Sequence, residues 1–135
     1  MTLADTGPLV ALIDPRDPNH RRCADALERL SSPFLTTWPV FTEAMYFLGD
    51  ATGWAGQAPL WQMLRRGDLT IADSSEAAIR RTEGLMETYR GVPMDLADAS
   101  LVALAEGHGF TRIFTLDRHF QAYRLHGRKR FALIP

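Results

Sequence analysis

MTLADTGPLVALID, residues 1–14, reads as a short strand that stops on an acid and passes at once into a helix. Thr2 to Asp5 carries the strand. Thr6 or Gly7 starts the helix, and Pro8 is tolerated in a first turn because its missing N–H would have no partner there. Asp5 is therefore left at the carboxyl edge of whatever sheet the strand joins. The rest of the chain repeats this alternation. Pro15 and Pro18 break the chain, and Asn19 to Leu30 spaces Cys23, Ala26, Leu27 and Leu30 as one face of a second helix. Phe34 to Thr37, bounded by Pro33 and Pro39, is a short β-prone strand; VFTEAMYFLGDA then returns to helical spacing at Val40, Ala44, Phe47 and Leu48, with Glu43 among them.

Residues 55–65 predict another helix that ends at Gly67, Leu69 to Ala72 a strand, and Ser75 to Tyr89 a helix with Asp73 and Ser74 as cap candidates. MDLADASLVALAE, residues 94–106, is a nearly all-apolar helix stopped by the glycines of GHG. Arg112 to Thr115 is the next strand, Asp117 to Tyr123 a short helix and Phe131 to Ile134 a last strand. Strands alternating with helices imply βαβ units, right-handed crossovers and a mainly parallel sheet covered on both faces. The fold class is thus α/β, a three-layer α/β/α sandwich formed by a single domain over residues 1–135.

Composition narrows the function. Hydrophobic residues make up 46% and charged residues 23% of the chain, ordinary proportions that argue against a disordered or fibrous protein. No apolar run approaches the roughly 18 residues that span a bilayer, and the first residues lack the basic-then-apolar layout of a signal peptide, so a cytoplasmic protein without a membrane partner is expected. Cys23 alone cannot form an internal disulfide and reads as a small buried thiol. A net charge of −1 gives no overall field to draw in nucleic acid, so such binding would need a local patch. The densest basic run is Arg124, Arg128, Lys129 and Arg130, interleaved with Tyr123 and Phe131; it reads either as a solvated flank of the last strand or as part of a groove for single-stranded RNA. Trp54, Trp61 and Met63 are core residues or part of a surface for a partner.

In open α/β sheets, ligands bind outside the carboxyl ends of the strands. Four acids are candidates for that edge: Asp5 ends the first strand, Glu43 lies on the helix after the second, Asp98 sits in the first turn of the 94–106 helix and Asp117 follows RIFTL. Carboxylates brought together must hold protons or a cation, and an all-oxygen donor set suits Mg²⁺ or Mn²⁺. Each acid also has a local reading. Asp5, Asp95 and Asp117 could cap helices, Asp98 gains from the helix dipole, and Glu43 could lie on a solvated stripe. Asp95 and Asp98, like charges at i and i+3, repel by roughly 0.2–0.5 kcal/mol, which is a reason to look beyond capping for Asp98.

ADTGPLVALID, TEAMYFL, MDLADASLVALAE and FTLDRHF, in that order over essentially the whole chain, resemble the PIN domain family, including VapC-type toxins of bacterial toxin–antitoxin pairs. The resemblance implies an α/β/α fold and Mg²⁺- or Mn²⁺-dependent cleavage of RNA. Carried over residue by residue, it makes Asp5, Glu43, Asp98 and Asp117 the catalytic and metal-holding acids. Asp95 matches an additional acid of some members, and Thr6 and Thr115 match hydroxyl positions beside the first and fourth acids. An antitoxin partner is implied in the same way, and a homodimer is a further expectation.

Three other readings compete with this one. Phosphotransfer at an aspartate usually requires a nearby lysine, and the only lysine is Lys129 in the basic run. A metal-free ribonuclease would lean on histidine, and of His20, His108, His119 and His126 only His119 lies near a candidate acid. The third reading is a catalytically silent PIN-like module that binds RNA or protein; independence from metal would mark the second reading, and metal binding without turnover the third.

Overall fold

The computed structural model describes every residue from Met1 to Pro135. In chain order the elements are β1 (Thr2–Ala4), α1 (Thr6–Ile13), α2 (His20–Leu27), β2 (Phe34–Thr36), α3 (Trp38–Thr52), α4 (Trp54–Arg66), β3 (Leu69–Ile71), α5 (Glu76–Thr88), α6 (Leu96–His108), β4 (Arg112–Phe114), a 3-10 turn (Arg118–Gln121), β5 (Arg124–Leu125), β6 (Lys129–Arg130) and β7 (Ala132–Ile134). Five strands form one sheet in the order β3-β2-β1-β4-β7. Every pairing in it is parallel, with Leu3 of β1 opposite Leu35 on one side and Ile113 on the other.

Six helices flank this sheet, as the alternation of the sequence predicts. The chain steps outward from β1 to β2 to β3 and then returns across β1 to add β4 and β7, so the strand order reverses between β1 and β4. A crevice forms at such a reversal, because the two neighbouring strands send their chains in opposite directions.

Strand residues Leu3, Phe34, Ile113 and Phe114 are buried, and so is α6 without interruption from Ala97 to Ala105. A helix apolar on all sides has to be enclosed, which explains why MDLADASLVALAE shows no polar stripe. α5 packs along α6, and α3 meets it from another side.

Local signals set the helix ends. α3 starts at Trp38, two residues before the position that apolar periodicity predicts, because the Thr37 side chain accepts the Val40 N–H and Pro39 fits the first turn. Gly53, at φ 64°, separates α3 from α4. Trp54 is exposed, whereas Trp61 and Met63 pack against the core and Trp61 meets Phe41 edge-on, with ring centroids 5.0 Å apart.

The basic run does not simply flank the last strand. It forms a second, antiparallel sheet, with β5 paired to β6 and Arg124 opposite Arg130. His126 (φ 51°) and Gly127 (φ 72°) both take positive φ in the turn between them. Such turns match the right-handed twist of a hairpin, and glycine meets the requirement without steric cost.

Candidate active site

β1 and β4 end side by side, and both lead directly into candidate acids. The Asp5 N–H donates to the Phe114 carbonyl of β4 at 2.9 Å, which extends the strand pairing as far as the acid. The Asp5 side chain is buried. Oδ1 accepts the Thr6 N–H at 2.8 Å, capping α1, while Oδ2 accepts the Thr115 hydroxyl at 2.7 Å. Thr115 Oγ1 in turn accepts the Asp117 N–H at 3.0 Å, so one hydroxyl ties the first acid to the fourth.

Burial pushes the Asp5 carboxyl up to about 6; the Thr115 and Thr6 hydrogen bonds oppose that rise, and Asp117 and Glu43 add to it by repulsion. Asp98 rises further, to about 7. Burial is again the main cause, opposed by the hydrogen bond to the Asp95 backbone and reinforced by the charges of Asp95, Asp5 and Asp117. Asp95 and Asp98 form a reciprocal cap on α6: the Asp98 N–H donates to Asp95 Oδ1 at 2.8 Å and the Asp95 N–H to Asp98 Oδ2 at 3.2 Å. Capping thus involves both acids, yet Asp98 Oδ1 takes no part in it.

Glu43 is half-buried, and burial is also what raises it most. The Thr6 hydroxyl stands close enough to favour its charged form, while Asp95 repels it. Thr6 Oγ1 is nevertheless a buried oxygen without a hydrogen-bond partner of normal geometry. Asp117 is the more open end of the site. Its Oδ1 accepts the His119 N–H and lies 2.9 Å from His119 Nδ1.

These four acids and Asp95 line one groove of about 630 Å³, together with Asp14, Asp17 and Asp50. No lysine, arginine or histidine lines it. Asp50 carries a signal that sequence reading overlooked, since it lies seven residues after Glu43 and so on the same side of α3. Asp14 and Asp17, in the turn after α1, show no comparable spacing. Thr6 also lines the groove, and Thr115 supports it from beneath through Asp5.

No three of the acids close into a ready-made ligand cluster. Asp5, Asp95, Asp98 and Asp117 turn instead to nearby backbone or hydroxyl donors. The donor set still fits a hard divalent cation: the lining acids are all oxygen donors, their mutual repulsion favours positive charge among them, and the Thr6 hydroxyl is unsatisfied. Asp5, Glu43, Asp98 and Asp117 are the residues that would hold it.

The basic residues lie elsewhere. Arg128, Lys129 and Arg130 are exposed on the hairpin, and the neighbouring His126 N–H donates to Glu106 at 2.7 Å. Glu106 is near the carboxyl end of α6 and Asp98 at its amino end, so the turn of the hairpin lies toward the far end of α6 from the acids, whereas Tyr123, next to Arg124, brings its hydroxyl to 3.4 Å from Asp98 Oδ2. Arg124 spends its Nη1 on the carbonyls of Gln121 and Tyr123.

In comparisons with known proteins, the structure matches Mycobacterium tuberculosis VapC20, described as a sarcin–ricin loop cleaving toxin, with a TM-score of 0.81 at 13% identity over 87% of this chain and 90% of that one. A chain of a toxin–antitoxin complex from Klebsiella pneumoniae matches with a TM-score of 0.68 at 22% identity over 89% of this chain and 90% of that one. No curated protein sequence gives a significant match. At these identities the structures establish a shared fold. A sequence profile of the PIN domain matches residues 2–125, all the elements from β1 through β5, and on that match the chain belongs to the PIN domain family.

Proposed function

We propose that this protein is a divalent-metal-dependent endoribonuclease, the toxin of a toxin–antitoxin pair. One observation carries the reading: in a PIN-family chain, a groove lined by eight acids and no basic side chain lies at the strand-order reversal, where α/β sheets bind ligands. Asp5, Glu43, Asp98 and Asp117 hold Mg²⁺ or Mn²⁺ in this reading. A divalent ion there supplies a water of lowered pKa and offsets the anionic charge of the phosphodiester transition state. One carboxylate accepts the proton that the attacking water gives up. Thr6 and Thr115 orient the acids, and Asp95 acts from the outer shell through its cap on α6.

RNA is the substrate class. Arg128, Lys129 and Arg130, with Arg124 beside them, give the backbone of a strand a cationic hold at a distance from the acids. The toxin reading is supported by the two structural neighbours, one described as a toxin and the other as part of a toxin–antitoxin complex, which also motivate an antitoxin as partner. Exposed Tyr46, Phe47 and Trp54 offer apolar area to an antitoxin or to a second copy of the chain.

The test is cleavage of a mixed RNA pool with Mn²⁺, with Mg²⁺ and with EDTA, using the wild-type chain and an Asp98→Asn variant. Metal-dependent cleavage lost in the variant is the expected result. Cleavage that survives both EDTA and the substitution would overturn the mechanism, and metal binding without cleavage of any RNA would favour a silent binding module.

A further inference from the structure

Glu43 and Asp98 sit on different helices, and repulsion among the acids acts to push those helices apart. α3 and α6 nevertheless meet near their amino ends, where two buried hydroxyls touch: Thr37 Oγ1 and Ser100 Oγ lie 2.6 Å apart. The proton directions follow from the neighbours. Ser100 Oγ is 2.7 Å from the Ala97 carbonyl, which can only accept, so the single Ser100 proton goes there. Thr37 must then donate to Ser100, and its own oxygen accepts the Val40 N–H at 3.4 Å. The result is a directed chain of three hydrogen bonds, from the α3 backbone through both side chains to the α6 backbone.

We infer that the Thr37–Ser100 hydroxyl pair is a positioning device for the metal site, holding the Glu43 helix against the Asp98 helix. The inference rests on the metal-nuclease reading above and adds two residues to it. Neither touches a reacting atom. Thr37 is the cap of the helix that bears Glu43, and Ser100 lies two residues beyond Asp98 on the other face of the groove wall, beside the open space between α5 and α6. The chain binds each helix within its first two turns, at the end where the acids stand. Thr115 does the corresponding work for the strands, tying Asp5 to Asp117.

The test measures Mn²⁺ binding to the RNA-free full chain by calorimetry, alongside thermal unfolding in EDTA. Ser100→Ala is expected to weaken Mn²⁺ binding by at most about 10-fold, the low end of what loss of a group bonded directly to a metal ligand costs, because Ser100 acts on the acids only through the helices it joins. Ser100→Thr keeps the hydroxyl, and the open space beside it admits the methyl group, so it is expected to restore wild-type binding. Thr37→Val is expected to weaken Mn²⁺ binding less in the Ser100→Ala background than in the wild type, because the bond between the two hydroxyls is already gone there, while the lost Val40 cap lowers the unfolding temperature in both backgrounds. Should Ser100→Ala fail to fold, Ser100→Cys, of similar size but a weaker donor, makes the same comparison.

Unchanged Mn²⁺ affinity in Ser100→Ala, with only a lower unfolding temperature, would show a structural bond and overturn the inference. A wild-type chain that binds no Mn²⁺ would instead sink the metal-nuclease reading beneath it.

Discussion

Asp98 is held in two ways at once, by its own helix cap and by the repulsion of its neighbours. Replacing it with asparagine keeps an oxygen for the Asp95 N–H and removes the charge. Cleavage by Asp98→Asn is expected to fall by at least about 100-fold, beyond the cost of losing an outer-shell partner. The same variant in EDTA at pH 8 is expected to unfold at a higher temperature than wild type, because the buried charge it lacks is one the metal-free fold tolerates poorly. Calorimetric scans would read this; a lower unfolding temperature would show that the carboxylate chiefly stabilises the helix. Asp5 and Asp98 were legible from sequence because each stands at the end of an element, where chain direction determines which edge it faces. Asp14 and Asp17 were not, since their place in the groove depends on how α1 and α3 lie against one another, whereas the seven-residue spacing of Asp50 from Glu43 did point to it.

At the scale of elements, α6 is the strongest case for reading sequence by its departures from amphipathic spacing. Its opening Asp95 has a dual role that two variants separate. Asp95→Asn retains an acceptor for the Asp98 N–H and is expected to leave thermal unfolding nearly unchanged. Asp95→Ala removes the cap and is expected to cost about 1 kcal/mol. Equal losses of stability in both would mean that the charge, not the cap, is what the helix uses. The strands and long helices followed from apolar spacing and proline breaks. The β5–β6 hairpin did not. Its strands are two residues each, too short to show a period, and His126 gives no warning of its positive φ. With the hairpin unread, its basic turn could not be located beside Glu106, toward the carboxyl end of α6.

For the molecule as a whole, charge is segregated between an acidic groove and a cationic hairpin. Asp5 and Asp98, raised from 3.8 to about 6 and about 7, bind more protons folded than unfolded through the interval between those values. Their contribution to stability is therefore full below about pH 4 and is lost as pH rises through 6 to 7. In EDTA the folded state is expected to lose stability between pH 5 and pH 8, by an amount on the order of a few kcal/mol, since each tenfold change in proton affinity is worth about 1.4 kcal/mol. The unfolding temperature reads this loss, and Mn²⁺ at pH 8 is expected to reverse it; a flat profile in EDTA would show that burial and repulsion do not raise these acids as described. At the other pole, combined Arg128→Ala, Lys129→Ala and Arg130→Ala substitutions are expected to raise KM for RNA severalfold and flatten its salt dependence, with kcat little changed. An unaltered salt dependence would remove the hairpin from the RNA path. The bond between Asp5 and Thr115 joins residues 110 apart in the chain. A ribosome makes the first acid 110 residues before the hydroxyl that anchors it. β1, the middle strand, waits equally long for β4. A growing chain, or one cut short before β4, thus carries acids but no assembled groove, and the completed site waits on the strand that follows α6.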